Sequence, residues 1–262
     1  MKENLSFLKL VIRSSFSKFL ALVGLVCLIQ AVLFVALTTA GRGYESALDA
    51  APITAAAGVG LMAAVILLLL PWAKSGQGRP LTTLNRLRIT TFRAAFWLIV
   101  YNSLCFLIFW AAQLALFLLL CKGFLVSTGA SGHLHLICLA AWRVDYFHML
   151  LPLGDVPELA RNIVLVFGFG VMTAALVMED TLSIGAYLCV VLTTSKVITA
   201  ATDGAGEMAV FYFIDIGIVA VLMICQIWMI KKACRNKEEP VKRARGDRKR
   251  PGNGRGRKEL AS

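Results

Sequence analysis

The sequence is short of charge, and shortest of acids. Only 16% of its 262 residues are Asp, Glu, Lys or Arg, against about a quarter in ordinary soluble domains. That scarcity excludes a conventional water-facing surface. Histidine is scarcer still, with three in all. His133 and His135 stand two apart, but no third ligand lies near them where zinc sites supply three or four, so they read as interface residues. There is no His-Glu-x-x-His, no Gly-x-Ser-x-Gly and no glycine-rich loop ending in Gly-Lys-Ser/Thr. The polypeptide therefore has no evident means of hydrolysing ATP itself, and no catalytic constellation. Seven cysteines are present, an odd and dispersed set with no Cys-x-x-Cys pair, which argues against a disulfide framework.

What the chain has in excess is hydrocarbon. It is 58% hydrophobic and its mean hydropathy is +0.75. A helix needs about 20 residues to cross a hydrocarbon core of roughly 30 Å. Six runs meet that length, near residues 19–39, 53–72, 94–120, 162–178, 182–201 and 208–230. They are continuous Leu, Val, Ala and Phe, without the alternation of a barrel strand, so helices are the form that satisfies their backbone in lipid. The expected fold is all-α: a polytopic integral membrane protein with six transmembrane helices. The first run exceeds the 7 to 15 apolar residues of a signal peptide and is expected to be retained.

Charge orients these spans. With both termini cytoplasmic, 22 of the 27 basic residues fall inside: on the amphipathic start (1–18), the loop 73–93 and the tail 231–262. The reverse orientation would break the positive-inside rule. An even number of crossings follows, so the stretch 134–153 is expected not to cross. Arg143, Asp145 and His148 within it would be costly in hydrocarbon, and the outer segment 122–161 reads as interfacial or re-entrant. The tail, with 13 basic and 4 acidic residues, cannot bury enough surface to fold and is expected to be disordered. Its partner is anionic lipid. Nucleic acid is not expected, since no aromatic side chain interleaves the basic ones.

Two features remain. Lys196 and Asp215 fall inside the fifth and sixth runs at similar depth, and are expected to meet, either as a salt bridge or along a substrate path. The second is the island "KSGQGRPLTTLNRLRIT", Lys74 to Thr90, with four basic residues and no acid. Pro80 suits a helix start. Leu81, Leu84 and Leu87 make an apolar stripe, and Arg79, Arg86 and Arg88 supply charge. It serves either to hold this loop inside or to dock a cytosolic partner.

The order of amphipathic start "ENLSFLKLVIRSSFSK", first span, outer loop, second span, cytoplasmic "GRPLTTLNRLRIT" and long third span "AFWLIVYNSLCFLIFWAAQLALFLLL" resembles the permease subunits of bacterial ABC exporters of the type-two class. The resemblance implies a multi-pass protein of the bacterial plasma membrane that pairs with a second permease subunit. It implies docking of a separate ATPase through Leu81, Leu84, Arg86, Leu87 and Arg88. The chain departs from that layout in one place: its long outer segment precedes the fourth span, and the turn between the last two is short. A non-transporting membrane scaffold with a basic inner face is the competing class. No cofactor, metal or catalytic residue is expected. Replacing Asp215 by Asn separates its two roles: transport lost with the assembled protein intact, read by size-exclusion chromatography and a flux assay, marks the path, whereas lost assembly marks the salt bridge.

Overall fold

The computed structural model describes residues 2–73, 91–127, 143–152, 156–178 and most of 217–232. Among these residues the regular structure is all helix, with no strand. The elements are α1 (Lys2–Thr39), α2 (Tyr44–Leu48), α3 (Ala51–Ala73), α4 (Thr91–Ser127), α5 (Asp145–Leu150) and α6 (Val156–Met178). Further helical residues lie between 217 and 232. Four helical stretches, Ser15–Thr39, Glu45–Leu70, Phe92–Val126 and Val156–Val177, are long and apolar enough to cross a membrane. These correspond to the first four expected spans. The fifth expected span, the island at 74–90, the Lys196 and Asp215 pair, the two histidines and all but the start of the tail lie outside the described residues.

The basic start and the first apolar run are one helix of 38 residues, about 57 Å long. The boundary read at residue 18 does not interrupt it, because no Gly or Pro occurs between Met1 and Val23 to break the hydrogen-bond ladder. Packing continues across that boundary as well. Val11 and Phe19 belong to the same buried cluster as Ala94, Leu98 and Tyr101 of α4. The helix ends in a Schellman cap. Gly41 takes φ +86°, Arg42 N–H donates to Leu37 O at 3.2 Å, and Gly41 N–H donates to Thr38 O at 3.1 Å.

Contact order along the chain fixes the topology. Gln30 of α1 reaches Ile53 of α3 and Val26 lies against Gly60, so α1 and α3 run antiparallel. Ser15 meets Tyr101, and Phe34 shares a cluster with Phe117, so α1 and α4 run parallel. Asn102 bonds Thr173 and Phe106 stacks near Phe169, so α4 and α6 are antiparallel. The result is an up-down-up-down bundle. The α1–α3 turn and the α4–α6 connection share one end, and the connector 74–90 departs from the other.

Helices α4 and α6 approach each other closely at Gly170. A Cβ added at Gly170 would overlap Ser103 Oγ and stand 2.8 Å from Ser103 N and 2.9 Å from its Cα. Small residues are what allow helix backbones to come this near in lipid. Beside that contact, Asn102 Nδ2 donates to Thr173 Oγ1 at 2.8 Å, and the threonine hydroxyl bonds back to Phe169 O at 2.8 Å. On the other side of the bundle, large apolar side chains such as Leu25, Leu28, Val32 and Val35 of α1 are exposed, a face suited to acyl chains.

Gly170→Val is expected to lower stability by about 1–3 kcal/mol through overpacking. Gly24→Ala, with no heavy atom within 4 Å of the added carbon, should be neutral. Thermal unfolding in detergent compares the two, and equal effects would mean that α4 and α6 are not in close contact at Ser103.

Candidate functional site

Polar side chains are sparse within the spans, and four of the buried ones, Gln30, Gln113, Glu158 and Arg161, lie toward the end of the bundle opposite the 74–90 connector. Gln30 of α1 and Gln113 of α4 are 1% and 2% exposed. The Gln30 amide donates to Ile53 O at 3.2 Å. Tyr146 of α5 enters beside them, its hydroxyl donating to Gln113 Oε1 at 3.0 Å. Burial pushes the Tyr146 phenol well above its ordinary pKa, against a smaller downward pull from a hydrogen bond with Gln30, so it remains a neutral donor at physiological pH.

The short helix α5 is held in place on three sides. Its Tyr146 N–H donates to Asp49 Oδ1 at 3.2 Å. Trp110 Nε1–H donates to Leu150 O at 3.0 Å, and Phe117 packs on Phe147 with ring centroids 4.2 Å apart. Arg143 approaches Glu45 at 3.5 Å, but both side chains are largely exposed, so that pair contributes little. Residues 143–152 thus fold back onto the α1–α3 turn, and two of the polar residues that made 134–153 costly as a crossing meet protein partners, Arg143 at Glu45 and His148 at Glu158.

The start of α6 carries a charge cluster inside the fold. Glu158 Oε1 accepts from Arg161 Nη2 at 3.0 Å, both side chains being more than nine-tenths buried. His148 Nδ1 of α5 lies 3.5 Å from the other carboxylate oxygen. The helix begins at Val156, six residues before the expected span. Pro157 suits its first turn, and the two opposite charges compensate each other instead of ending the helix.

Between α3, α4, α5 and α6 lies a partly open pocket of about 120 Å³. Its lining is almost wholly apolar: Leu61, Phe106, Phe109, Val166 and Phe169 form the deep part. Thr54, Gln113, Tyr146 and Asn162 stand at the other end. No Asp, Glu, Lys, Arg or His is among the described lining residues. From 54 to 61, from 113 to 106 and from 162 to 169 are seven residues each, so the pocket runs about 10 Å along the bundle. It can hold a small uncharged group but offers no acid–base pair to act on one.

No family model, curated protein or solved structure matches the chain. Of the site residues expected from the sequence, Leu81, Leu84, Arg86, Leu87, Arg88, Lys196 and Asp215 all lie outside the described residues. The structure buries others that the sequence reading passed over, namely Gln30 and Gln113 near Tyr146, and the pair Glu158 and Arg161. Their signal was present: a lone amide inside "CLIQAVLF" or "FWAAQLALF" is costly in hydrocarbon unless bonded.

Glu158→Ala removes the carboxylate that two cationic or cation-capable side chains share. The expected loss is about 3 kcal/mol of stability, measured by thermal unfolding, whereas Glu45→Ala at the exposed pair should change it by no more than about 0.5 kcal/mol.

Proposed function

We propose that the protein is the membrane-spanning permease subunit of an ATP-driven exporter, with six spans and both termini cytoplasmic, energised by a separate ATPase subunit that docks on the loop 73–93. The observation that carries this reading is the placement of charge relative to the bundle. The antiparallel order of α1, α3 and α4 brings the amino end of α1 and both ends of the connector 74–90 to one face. The two segments that meet there, 1–18 and 73–93, carry by sequence nine basic residues and a single acid, Glu3. The opposite end carries Glu45, Asp49 and Glu158 together with Arg42, Arg143 and Arg161, so its charges are balanced. Basic residues retained on the cytosolic side set such an orientation.

On this reading the work is mechanical. Closure of two ATPase subunits pushes on the segment around Leu84 and Arg86, and the spans rock as rigid rods to reorient a path shared with a second permease subunit. The basic start and tail rest on anionic lipid. A second reading, a non-transporting scaffold in the plasma membrane, is favoured by the interior itself. Side-chain hydrogen bonds join α1 to α3, α1 to α4 and α4 to α6, a construction suited to a static frame.

Purification in mild detergent from the native membrane, with mass spectrometry of what accompanies the protein, is expected to recover a nucleotide-hydrolysing subunit. Charge reversal of Arg86 and Arg88 to Glu should weaken its recovery by about tenfold or more, since it sets like charges or lost pairs across the contact. Full recovery with the reversed variant would remove the docking role, and recovery of membrane proteins without any ATPase would favour the scaffold.

A further inference from the structure

Gln113 presents a contradiction that its own contacts do not resolve. Its side chain is 2% exposed, and its Oε1 accepts from Tyr146. Its Nε2, however, has no acceptor in the protein. A buried amide N–H without a partner is costly, more so where the surroundings are hydrocarbon. The same side chain lines the pocket between α3, α4, α5 and α6. With Tyr146 O–H donating to Gln113 Oε1, the nitrogen is the end of the amide left to be answered.

The pocket specifies what could satisfy it. An occupant needs an oxygen acceptor at the Gln113 end and an apolar body toward Leu61, Phe106 and Phe169. It needs no charge, since the described lining offers no counter-charge. At about 120 Å³ the space is slightly smaller than the roughly 150 Å³ apolar cavity that accepts benzene, so it admits a few carbons and not a whole molecule of lipid or drug. Its depth has a direction too. The polar end is level with the first turn of α3, near Thr54, and the apolar end lies about two turns further into the span. An acyl chain in a bilayer has this arrangement, with its ester near the interface and its methylenes running inward.

We propose that the pocket seats the ester end of a glycerolipid acyl chain, with Gln113 Nε2 donating to the ester carbonyl and the first methylenes lying against Leu61, Phe106 and Phe169. Thr54 and Asn162 border the ester, and Tyr146 holds the Gln113 amide in its orientation through Oε1. The site is independent of the exporter reading and would stand in a scaffold equally well.

The test uses the full chain in nanodiscs of phosphatidylcholine containing a small fraction of the same lipid with a diazirine about four carbons below the ester. Light-induced adducts are mapped by mass spectrometry. Labelling is expected to concentrate on Gly58–Leu61, Phe106–Phe109 and Val166–Phe169. In Gln113→Leu it should fall roughly fivefold, the weight of one buried hydrogen bond. Ala57→Leu, which fills the pocket while leaving Gln113 and Tyr146 in place, should abolish it. Both variants are first shown to be monodisperse with cooperative unfolding, and if either is not, the adduct map of the unaltered protein decides alone. Adducts spread evenly over lipid-facing residues such as Leu28, Val32 and Leu104, or undiminished in both folded variants, would overturn the proposal. An excess of ethyl hexanoate, a free uncharged ester, should compete only weakly. Complete loss of the pocket adducts in its presence, with the protein still folded, would assign the pocket to a free ester and overturn the lipid assignment.

Discussion

A polar group that enters hydrocarbon must find a partner there, and the rest of this architecture follows from that requirement. It makes the backbone helical, since only intrasegment hydrogen bonds satisfy every amide of a spanning chain. It then acts again on the side chains. Ser15 with Tyr101, Gln30 with Ile53, Asn102 with Thr173 and Gln113 with Tyr146 are four pairings that each join two different elements. Apolar surface cannot choose among neighbours in a bilayer, because lipid tails are as oily as leucine. These few polar contacts, with the close approach of Gly170 to Ser103, therefore set which helices lie together and at what register.

The ends of the bundle follow the same logic with charge. At one end, α2 and α5 are folded between the long helices, and Glu158 collects His148 and Arg161 where the fold excludes water. At the other, the basic residues of the amino-terminal segment and of the connector after α3 have few acids among them. The two ends thus differ in charge: one neutralises its buried carboxylate internally, while the segments that meet the other carry, by sequence, bases with a single acid.

The helical class and the first four spans were legible because the apolar runs are long and uninterrupted. Their boundaries were less so. The start of α6 was read late because Glu158 and Arg161 look like loop residues until they are seen to pair, and the amphipathic start and first span, read as two segments, share one continuous helix in which Val11 and Ser15 are buried. The pocket was not legible at all. Its lining comes from four elements separated by up to 115 positions, from Thr54 to Phe169, and only the isolated glutamines hinted that something polar had to be answered. The residues on which the docking expectation rests, Leu81 to Arg88, lie outside the described structure, so that part of the reading remains one of sequence and charge.

The unbroken first helix also fixes a rotational phase. Ser15 engages α4 and Gln30 engages α3, and their separation of 15 positions is about four turns of one rod. Adding or deleting a single residue anywhere in that interval would turn one contact away from its partner by about 100°. The spacing between these two side chains is therefore constrained in length even where the intervening leucines and valines are interchangeable in kind.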